Sequence, residues 1–198
     1  MSSSTPIVTL AELPAFMGRL ADKIRRSGFA PDVIVYVESG ARLPAAHLCG
    51  ELRLGAVPVR AGRPGRGIKR LLAPLARALP RGLTNALRRV EESSGVHART
   101  GRRVEFPVAY DFRGRTVLVV DDAADTGGTL AAVKGALLGR GVESGRLRCA
   151  VLAATTPPGR AQADFYVLEL NSVLPWSTDS AERRTTLALM AEAKLPAP

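Results

Sequence analysis

Residues 116–130, TVLVVDDAADTGGTL, decide the fold of this chain. The apolar run 117–120 is short and β-branched and has no polar alternation, which predicts a fully buried strand. Two adjacent acids, a third acid, a Thr-Gly-Gly-Thr turn and a helical pattern ending near Gly139 follow it. A strand that enters a helix through a glycine pair leaves backbone N–H groups at the positive end of the helix dipole. The stretch therefore predicts a strand, turn and helix that bind a phosphate.

Three carboxylates accompany the predicted phosphate site: Asp121, Asp122 and Asp125. Carboxylates beside a bound phosphate can address hydroxyls, a divalent metal or a proton of the same substrate. The alternative is an ordinary strand-to-helix turn whose acids cap the helix and face water. Capping explains one acid and not three, so the pattern favours a binding site.

The remaining sequence alternates helical stripes with short apolar runs. A helix following a Thr9/Glu12 capping box is predicted to end near Gly28, and another covers residues 43–54. Strands are predicted at residues 32–37, 56–59, 117–120, 147–153 and 164–170. This alternation predicts an α/β fold with a mainly parallel sheet flanked by helices and with ligands at the carboxyl ends of the strands.

The composition indicates one globular domain in a chain of 198 residues. No apolar run reaches membrane-spanning length and the N-terminus lacks signal-peptide features, so we expect a cytoplasmic protein without a membrane partner. Cys49 and Cys149 lie far apart in apolar patterns, which indicates buried thiols rather than a disulfide or metal pair.

The net charge of +10 is concentrated in one segment. Twelve Lys and Arg residues lie between Arg60 and Arg103, where only Glu91 and Glu92 oppose them. Such a field attracts polyanions, including a sugar diphosphate, RNA or an acidic partner. A solvated surface rich in arginine is the equally weighted alternative.

The motif at residues 121–129 resembles the ribose-phosphate signature of the type I phosphoribosyltransferases, and the chain is most similar to their xanthine/hypoxanthine–guanine branch. Those enzymes displace pyrophosphate from 5-phosphoribosyl 1-diphosphate (PRPP) with a nitrogen nucleophile. The resemblance implies the type I fold in a single domain, 1–198, with a basic helical insertion at about 61–92 and a hood formed by about 155–198.

The resemblance also implies roles for the signature residues. Asp125 is the candidate catalytic base at the acceptor nitrogen. Asp121 and Asp122 address the ribose hydroxyls and, mostly through water, the expected cofactor Mg²⁺. The other residues expected to hold the ribose 5-phosphate are Ala124, Thr126, Gly127, Gly128 and Thr129.

The loop after the first predicted strand resembles the pyrophosphate loop of the purine branch. Its candidate pyrophosphate-binding residues are Glu38, Ser39, Gly40, Ala41 and Arg42. Ser39 stands where a basic residue is common and Ala41 where a second glycine is usual, so Arg42 is a candidate for the missing charge. A plain strand-to-helix loop is the alternative.

The C-terminal part resembles the hood that covers the base in that branch. Its candidate acceptor-binding residues are Thr155, Phe165, Val173 and Trp176. The lysine that reads a purine 6-oxo group would fall near Thr155 or Thr156, and the stacking aromatic residue would fall at Val173. Trp176 either replaces that aromatic residue or packs at a strand end. The acceptor is therefore a purine-like base or a non-purine amine or heterocycle.

The resulting hypothesis is an Mg²⁺-dependent phosphoribosyltransferase that forms a homodimer or larger oligomer, with residues 93–103 as a mobile loop. The alternative is a PRPP-sensing regulator of the same fold that binds nucleic acid through the basic insertion. Asp125 disfavours that alternative, because sensing requires no base.

Overall fold

The computed structural model describes residues 6–38, 40–62, 102–169 and 172–198. The chain divides into two compact units, one formed by Met1–Ala61 with Val104–Pro198 and the other by Gly62–Arg103. The predicted insertion at 61–92 and mobile loop at 93–103 lie almost wholly outside the described residues.

The helices and strands of the described residues alternate as expected. They are α1 (Leu13–Arg26), β1 (Val33–Val37), α2 (Arg42–Leu52), β2 (Ala56–Gly62), β3 (Arg103–Glu105), β4 (Val117–Ala124), α3 (Gly128–Leu138), β5 (Leu147–Ala154), α4 (Pro157–Gln162), β6 (Phe165–Leu168) and α5 (Arg183–Glu192). A single 3-10 turn, Ser144–Arg146, precedes β5. The predicted α/β fold is confirmed, whereas β3, α4 and α5 were not anticipated.

The described strands form one sheet in the order β3-β2-β1-β4-β5-β6. β1 pairs in parallel with β2 and with β4, and β5 pairs in parallel with β4 and with β6. The chain moves from β1 through α2 to β2 in one direction along the sheet and from β4 through α3 to β5 in the other. Because such crossovers are right-handed, α2 and α3 cover opposite faces.

The central strands are buried because helices cover both faces of the sheet. All five residues of β1 and the first five of β4 are buried. α1 buries a stripe of side chains, including Met17, Leu20 and Ile24, against this core. Burial raises the pKa of the Cys49 thiol to about 11 and that of Cys149 to about 12, which confirms the prediction of buried thiols.

The first helix begins later than its capping box predicted. Glu12 accepts hydrogen bonds from the Thr9 backbone N–H at 3.0 Å and hydroxyl at 2.8 Å, and these bonds lower the Glu12 pKa. The two residues nevertheless form a turn ahead of the helix, because Pro14 occupies a first-turn position that suits proline.

The reversal of direction between β1 and β4 creates a topological switch point, where ligands bind outside the carboxyl ends of parallel strands. Both predicted binding loops follow these two strands and therefore lie at the same crevice. Within the described part of the chain, no helix is both long and apolar enough to span a membrane.

Candidate active site

The first two acids of the signature belong to β4, which continues four residues beyond the predicted strand. Asp121 is opposite Val151 of β5, and the parallel ladder continues to Ala124 opposite Ala154. Asp121 is only 4% exposed and its carboxylate accepts the Asp122 backbone N–H at 2.9 Å. Asp122 is half-buried, so it is the more accessible of the two acids for a ligand hydroxyl.

The Asp122 carboxylate is oriented by two hydrogen bonds. Its Oδ1 accepts the backbone N–H of Ala123 at 2.9 Å, and its Oδ2 accepts the indole N–H of Trp176 at 2.8 Å. A Cβ at Gly40 would overlap this carboxylate and lie 2.9 Å from the indole nitrogen. The backbone of the predicted pyrophosphate loop can therefore approach Asp122 this closely only because residue 40 is glycine.

The turn into α3 has the geometry predicted for a phosphate site. Gly127 is the N-cap of α3 with a φ of 71°, in the left-handed region that favours glycine. A glycine N-cap has no side-chain acceptor, so the first-turn amides of Gly128, Thr129 and Leu130 remain available to an anion. A Cβ at Gly127 would also overlap the Gln162 side chain of α4.

Asp125 lies just beyond β4 and is exposed. The Thr155 hydroxyl donates to Asp125 Oδ1 at 3.1 Å, and the Thr156 hydroxyl donates to the Asp125 carbonyl at 2.5 Å. Thr156 is also the N-cap of α4, where its hydroxyl accepts the Gly159 N–H. Thr155 and Thr156, which stand at about the position where the resemblance places a base-reading lysine, therefore hold Asp125, and Thr156 also caps α4.

The predicted pyrophosphate loop contains a charged pair that sequence analysis missed. Arg60 Nε of β2 donates to Glu38 Oε2 at 2.6 Å, and this contact raises the Arg60 pKa. Arg42 Nε donates to the Ala193 carbonyl at 3.2 Å, which anchors that guanidinium to the residue following α5. Ala41 is buried as the N-cap of α2, and Ser39 lies outside the described residues.

Phe165, a predicted acceptor-binding residue, begins β6. It lies opposite Ala150 and four residues before the carboxyl end of β5, and its ring packs at 6.2 Å from that of Phe29. Phe29 precedes β1, so the ring of Phe165 contacts the segment that leads into that strand. The acid-aromatic pattern identified the strand correctly, since β6 lies within the predicted strand at residues 164–170.

Val173 is brought to the N-terminal segment. Its N–H donates to the Pro6 carbonyl, and its carbonyl accepts the Val8 N–H, both at 2.9 Å. The C-terminal end of the predicted hood lies away from the carboxyl edge of the sheet. The Pro196 carbonyl accepts a hydrogen bond from the N–H of Ala56, at the start of β2. Residues 194–198 therefore run toward the amino edge instead of covering the site.

Arg60 and Gly159 contact residues of the candidate site, and sequence analysis did not assign them to it. A Cβ at Gly159 would overlap the Ala124 carbonyl, so glycine lets α4 pack directly against the turn. The position of Arg60 one residue beyond Val59, which pairs with Val37, could have indicated a cation beside the loop after β1.

The acids fit an Mg²⁺ ion held largely through water and substrate. Asp121 and Asp122 supply the hard oxygen ligands that Mg²⁺ prefers, and each carboxylate oxygen accepts more than one contact. Among the described residues, no cluster of three or more His, Cys, Asp or Glu side chains could form a complete cage. That arrangement matches the few carboxylate contacts of metal ions that bind together with phosphates.

Residues 10–183 match the family model of the phosphoribosyl transferase domain, and the chain belongs to that family. Its sheet, helices and glycine turn are those of the type I fold. No match was found among the curated proteins.

Solved structures share this fold. A purine phosphoribosyltransferase from Pyrococcus horikoshii Ot3 has 22% identity and a TM-score of 0.61, over 87% of this chain and 93% of its own. A xanthine-guanine-hypoxanthine phosphoribosyltransferase from Helicobacter pylori has 16% identity and a TM-score of 0.59, over 92% and 97%. A hypothetical protein from Neisseria gonorrhoeae with bound ppGpp has 19% identity and a TM-score of 0.55, over 98% and 100%.

Proposed function

We propose that this protein transfers the 5-phosphoribosyl group of PRPP to a nitrogen acceptor and releases pyrophosphate. The observation that carries the proposal is the glycine-capped start of α3 shortly after β4, with Asp122 near the end of β4 and Asp125 at the beginning of the turn between them. A phosphate donor, sugar hydroxyls and a proton-bearing nucleophile are the groups that this arrangement can address together.

Each group has a separate task in the proposed reaction. The first-turn amides of α3 hold the 5-phosphate, and Asp121 and Asp122 orient the ribose hydroxyls. The bond between the anomeric carbon and the pyrophosphate oxygen breaks as the acceptor nitrogen bonds to that carbon. Asp125, oriented by Thr155, takes the proton that the nitrogen loses. Bound Mg²⁺ would neutralise the charge of the leaving pyrophosphate.

Arg60 is the proposed cation of the pyrophosphate subsite. A carboxylate in this loop, Glu38, would repel pyrophosphate, and Arg60 neutralises it through Nε. The two terminal amino groups of the guanidinium are not part of that contact, so they remain suited to phosphate oxygens. Arg42 keeps its predicted role only if its guanidinium bridges the Ala193 carbonyl and the ligand.

A binding measurement directly tests the proposal that this protein binds PRPP. Calorimetry with PRPP is expected to show binding that strengthens with Mg²⁺, and saturating PRPP should raise the melting temperature by mass action. The proposal is refuted if millimolar PRPP produces no heat of binding and no rise in the melting temperature.

The acceptor is proposed to differ from a 6-oxopurine. The hydroxyls of Thr155 and Thr156 already donate hydrogen bonds to Asp125. The side chain of Val173 has no aromatic ring that could stack on a base. Losing a charge-assisted hydrogen bond and an aromatic contact costs about 2–4.5 kcal/mol together. The named substrates of two similar structures are purines, so a turnover panel must include guanine, xanthine and hypoxanthine beside amines and other heterocycles. Efficient use of any of these three purines would overturn the acceptor proposal.

The regulator alternative rests on the basic insertion, which lies outside the described residues, and the structures named above give it no support. Nucleic-acid binding that weakens steeply with salt, combined with PRPP binding without turnover, is the result that would favour it.

A further inference from the structure

Three separate segments meet at the carboxylate of Asp122. β4 supplies the acid, the β1–α2 loop supplies the Gly40 backbone, and the segment after β6 supplies the indole of Trp176. The indole nitrogen lies 2.8 Å from Asp122 Oδ2, and both side chains are half-buried.

Trp176 is held from its own side as well. Leu174 and Pro175 are buried, and the turn is closed by two bonds, Leu174 N–H to Ser177 Oγ at 3.0 Å and Ser177 N–H to the Leu174 carbonyl at 2.9 Å. Because this turn is fixed, the indole can act as a rigid donor to the carboxylate rather than a mobile side chain.

The contact gives the indole N–H of Trp176 a partner in the signature motif, a role other than the base stacking considered from the sequence. An indole has one N–H donor and no acceptor, and that donor is directed at Asp122. The carboxylate keeps lone pairs on both oxygens, so it can still accept ribose hydroxyls while the two N–H groups fix its rotation.

We propose that Trp176 is a positioning residue for the ribose-hydroxyl site, holding Asp122 in the orientation that binds PRPP and linking the C-terminal segment to occupancy of that site. The inference rests on the proposed PRPP binding. It assigns Trp176 to the part of the site that binds PRPP, although its segment belongs to the predicted hood that covers the acceptor.

The sequence contains one tryptophan, so intrinsic indole emission reports on Trp176 alone. Titration of the wild-type protein with PRPP and Mg²⁺ is expected to change that emission with a midpoint equal to the calorimetric Kd. In Asp122→Asn, PRPP at concentrations that give the same occupancy should change the emission far less, because the carboxylate partner of the indole is gone.

Trp176→Phe keeps an aromatic ring but removes the N–H. Its affinity for PRPP is expected to fall about 10- to 100-fold, the range for a hydrogen bond to a charged group. The double variant Trp176→Phe/Asp122→Asn should bind no more weakly than Asp122→Asn alone, since the indole acts through that carboxylate. Tyr166→Phe is the matched control: it removes one polar group from a half-buried ring of β6 and should bind PRPP like the wild type.

The outcomes separate this inference from the function on which it rests. Absence of calorimetric heat with PRPP in the wild type would refute both. Heat with unchanged emission, equal emission changes in wild type and Asp122→Asn, or additive losses in the double variant would refute the positioning role alone. If Trp176→Phe does not fold, the emission comparison between the wild type and Asp122→Asn still tests the positioning role of Trp176.

Discussion

Asp122 and Asp125 lie three residues apart, yet their contacts differ in a way that suits the two tasks proposed for them. Asp122 is fixed by a backbone N–H and an indole N–H, which suits a carboxylate that positions hydroxyls. Asp125 is exposed and held through one oxygen by Thr155, which leaves its other oxygen for a proton.

Asp125→Asn is expected to lower kcat by about 100- to 10,000-fold while PRPP affinity stays nearly unchanged, because a general base acts in the chemical step. Asp122→Asn and Asp121→Asn should weaken PRPP binding as well. Steady-state kinetics with the identified acceptor, combined with calorimetry, measures both quantities. The control is Asp22→Asn, which removes an exposed acid of α1 and should change neither quantity. Equal affinity losses with retained turnover in Asp125→Asn would show that the roles are misassigned.

Arg60→Gln is expected to weaken PRPP binding on the order of tenfold, because it leaves Glu38 as an uncompensated negative charge beside the pyrophosphate. Arg60 has 59% of its side chain exposed, so the loss should shrink as salt screens the charges. Calorimetry at low and high ionic strength measures this dependence. Adding Glu38→Gln should recover part of the affinity, and no recovery would mean that repulsion by Glu38 is not the cause.

At the scale of elements, the short helix α4 supports the turn that follows β4. Gly159 of α4 packs on the backbone of Ala124, and Gly127 packs against Gln162 and Pro158. Lys134 of α3 donates to the Gln162 carbonyl at 3.0 Å and so joins the two helices. These contacts hold α3 with its first turn at the switch point between β1 and β4.

Gly127→Ala is expected to reduce the free energy of unfolding by about 1–2 kcal/mol, because an L side chain is strained at a φ of 71° and would meet α4. PRPP affinity should fall with it as the amides of α3 shift. Gly135→Ala is the matched control in the same helix, where nothing lies within 4 Å of the added Cβ. That variant should be more stable than the wild type by about 0.5–1 kcal/mol. Denaturant unfolding measures both changes. Equal stability of the two variants would contradict the conclusion that the turn requires glycine at residue 127.

At the scale of the whole molecule, both thiols lie in the core that the helices close over the sheet. Burial raises the pKa of Cys49 to about 11 and of Cys149 to about 12, well above the usual pKa of a thiol. An acid whose pKa is raised by folding contributes stability that is complete below its unfolded pKa and is lost as pH rises toward its folded pKa.

We therefore expect the free energy of unfolding to fall between about pH 9 and pH 12, by up to about 1.4 kcal/mol per pH unit for each thiol. At neutral pH the native protein should react with a thiol reagent far more slowly than the unfolded chain, in which both cysteines titrate normally. Denaturant unfolding across the pH series and thiol labelling with and without denaturant measure these effects. Cys49→Ala should remove one reactive group and lessen the alkaline decline, and rapid labelling of native Cys149 would contradict its burial.

Much of this architecture was predictable because local patterns match the final environment of each element. The apolar runs of β1 and β5 predicted strands close to the observed bounds, and the run of β4 predicted where that strand begins, since strands covered on both faces need continuous apolar sequence. α5 was missed because its buried positions, Thr186 and Met190, form too sparse an apolar stripe to stand out. α4 has only six residues, too few for a periodic pattern.

The sequence by itself determined the parallel α/β fold, the family and the strand-turn-helix at residues 116–130, because these depend on residue patterns that are local to each element. Contacts between distant residues were decided only by the tertiary structure. Trp176 meets Asp122, Arg60 meets Glu38, and Arg42 is drawn to Ala193. The sheet register and the packing of the C-terminal segment set these distances. Register also decides how far along the sheet each residue lies: it puts Phe165 level with Ala150 and Val120, whereas Asp122 and Asp125 lie beyond Val120 toward the carboxyl ends of the strands.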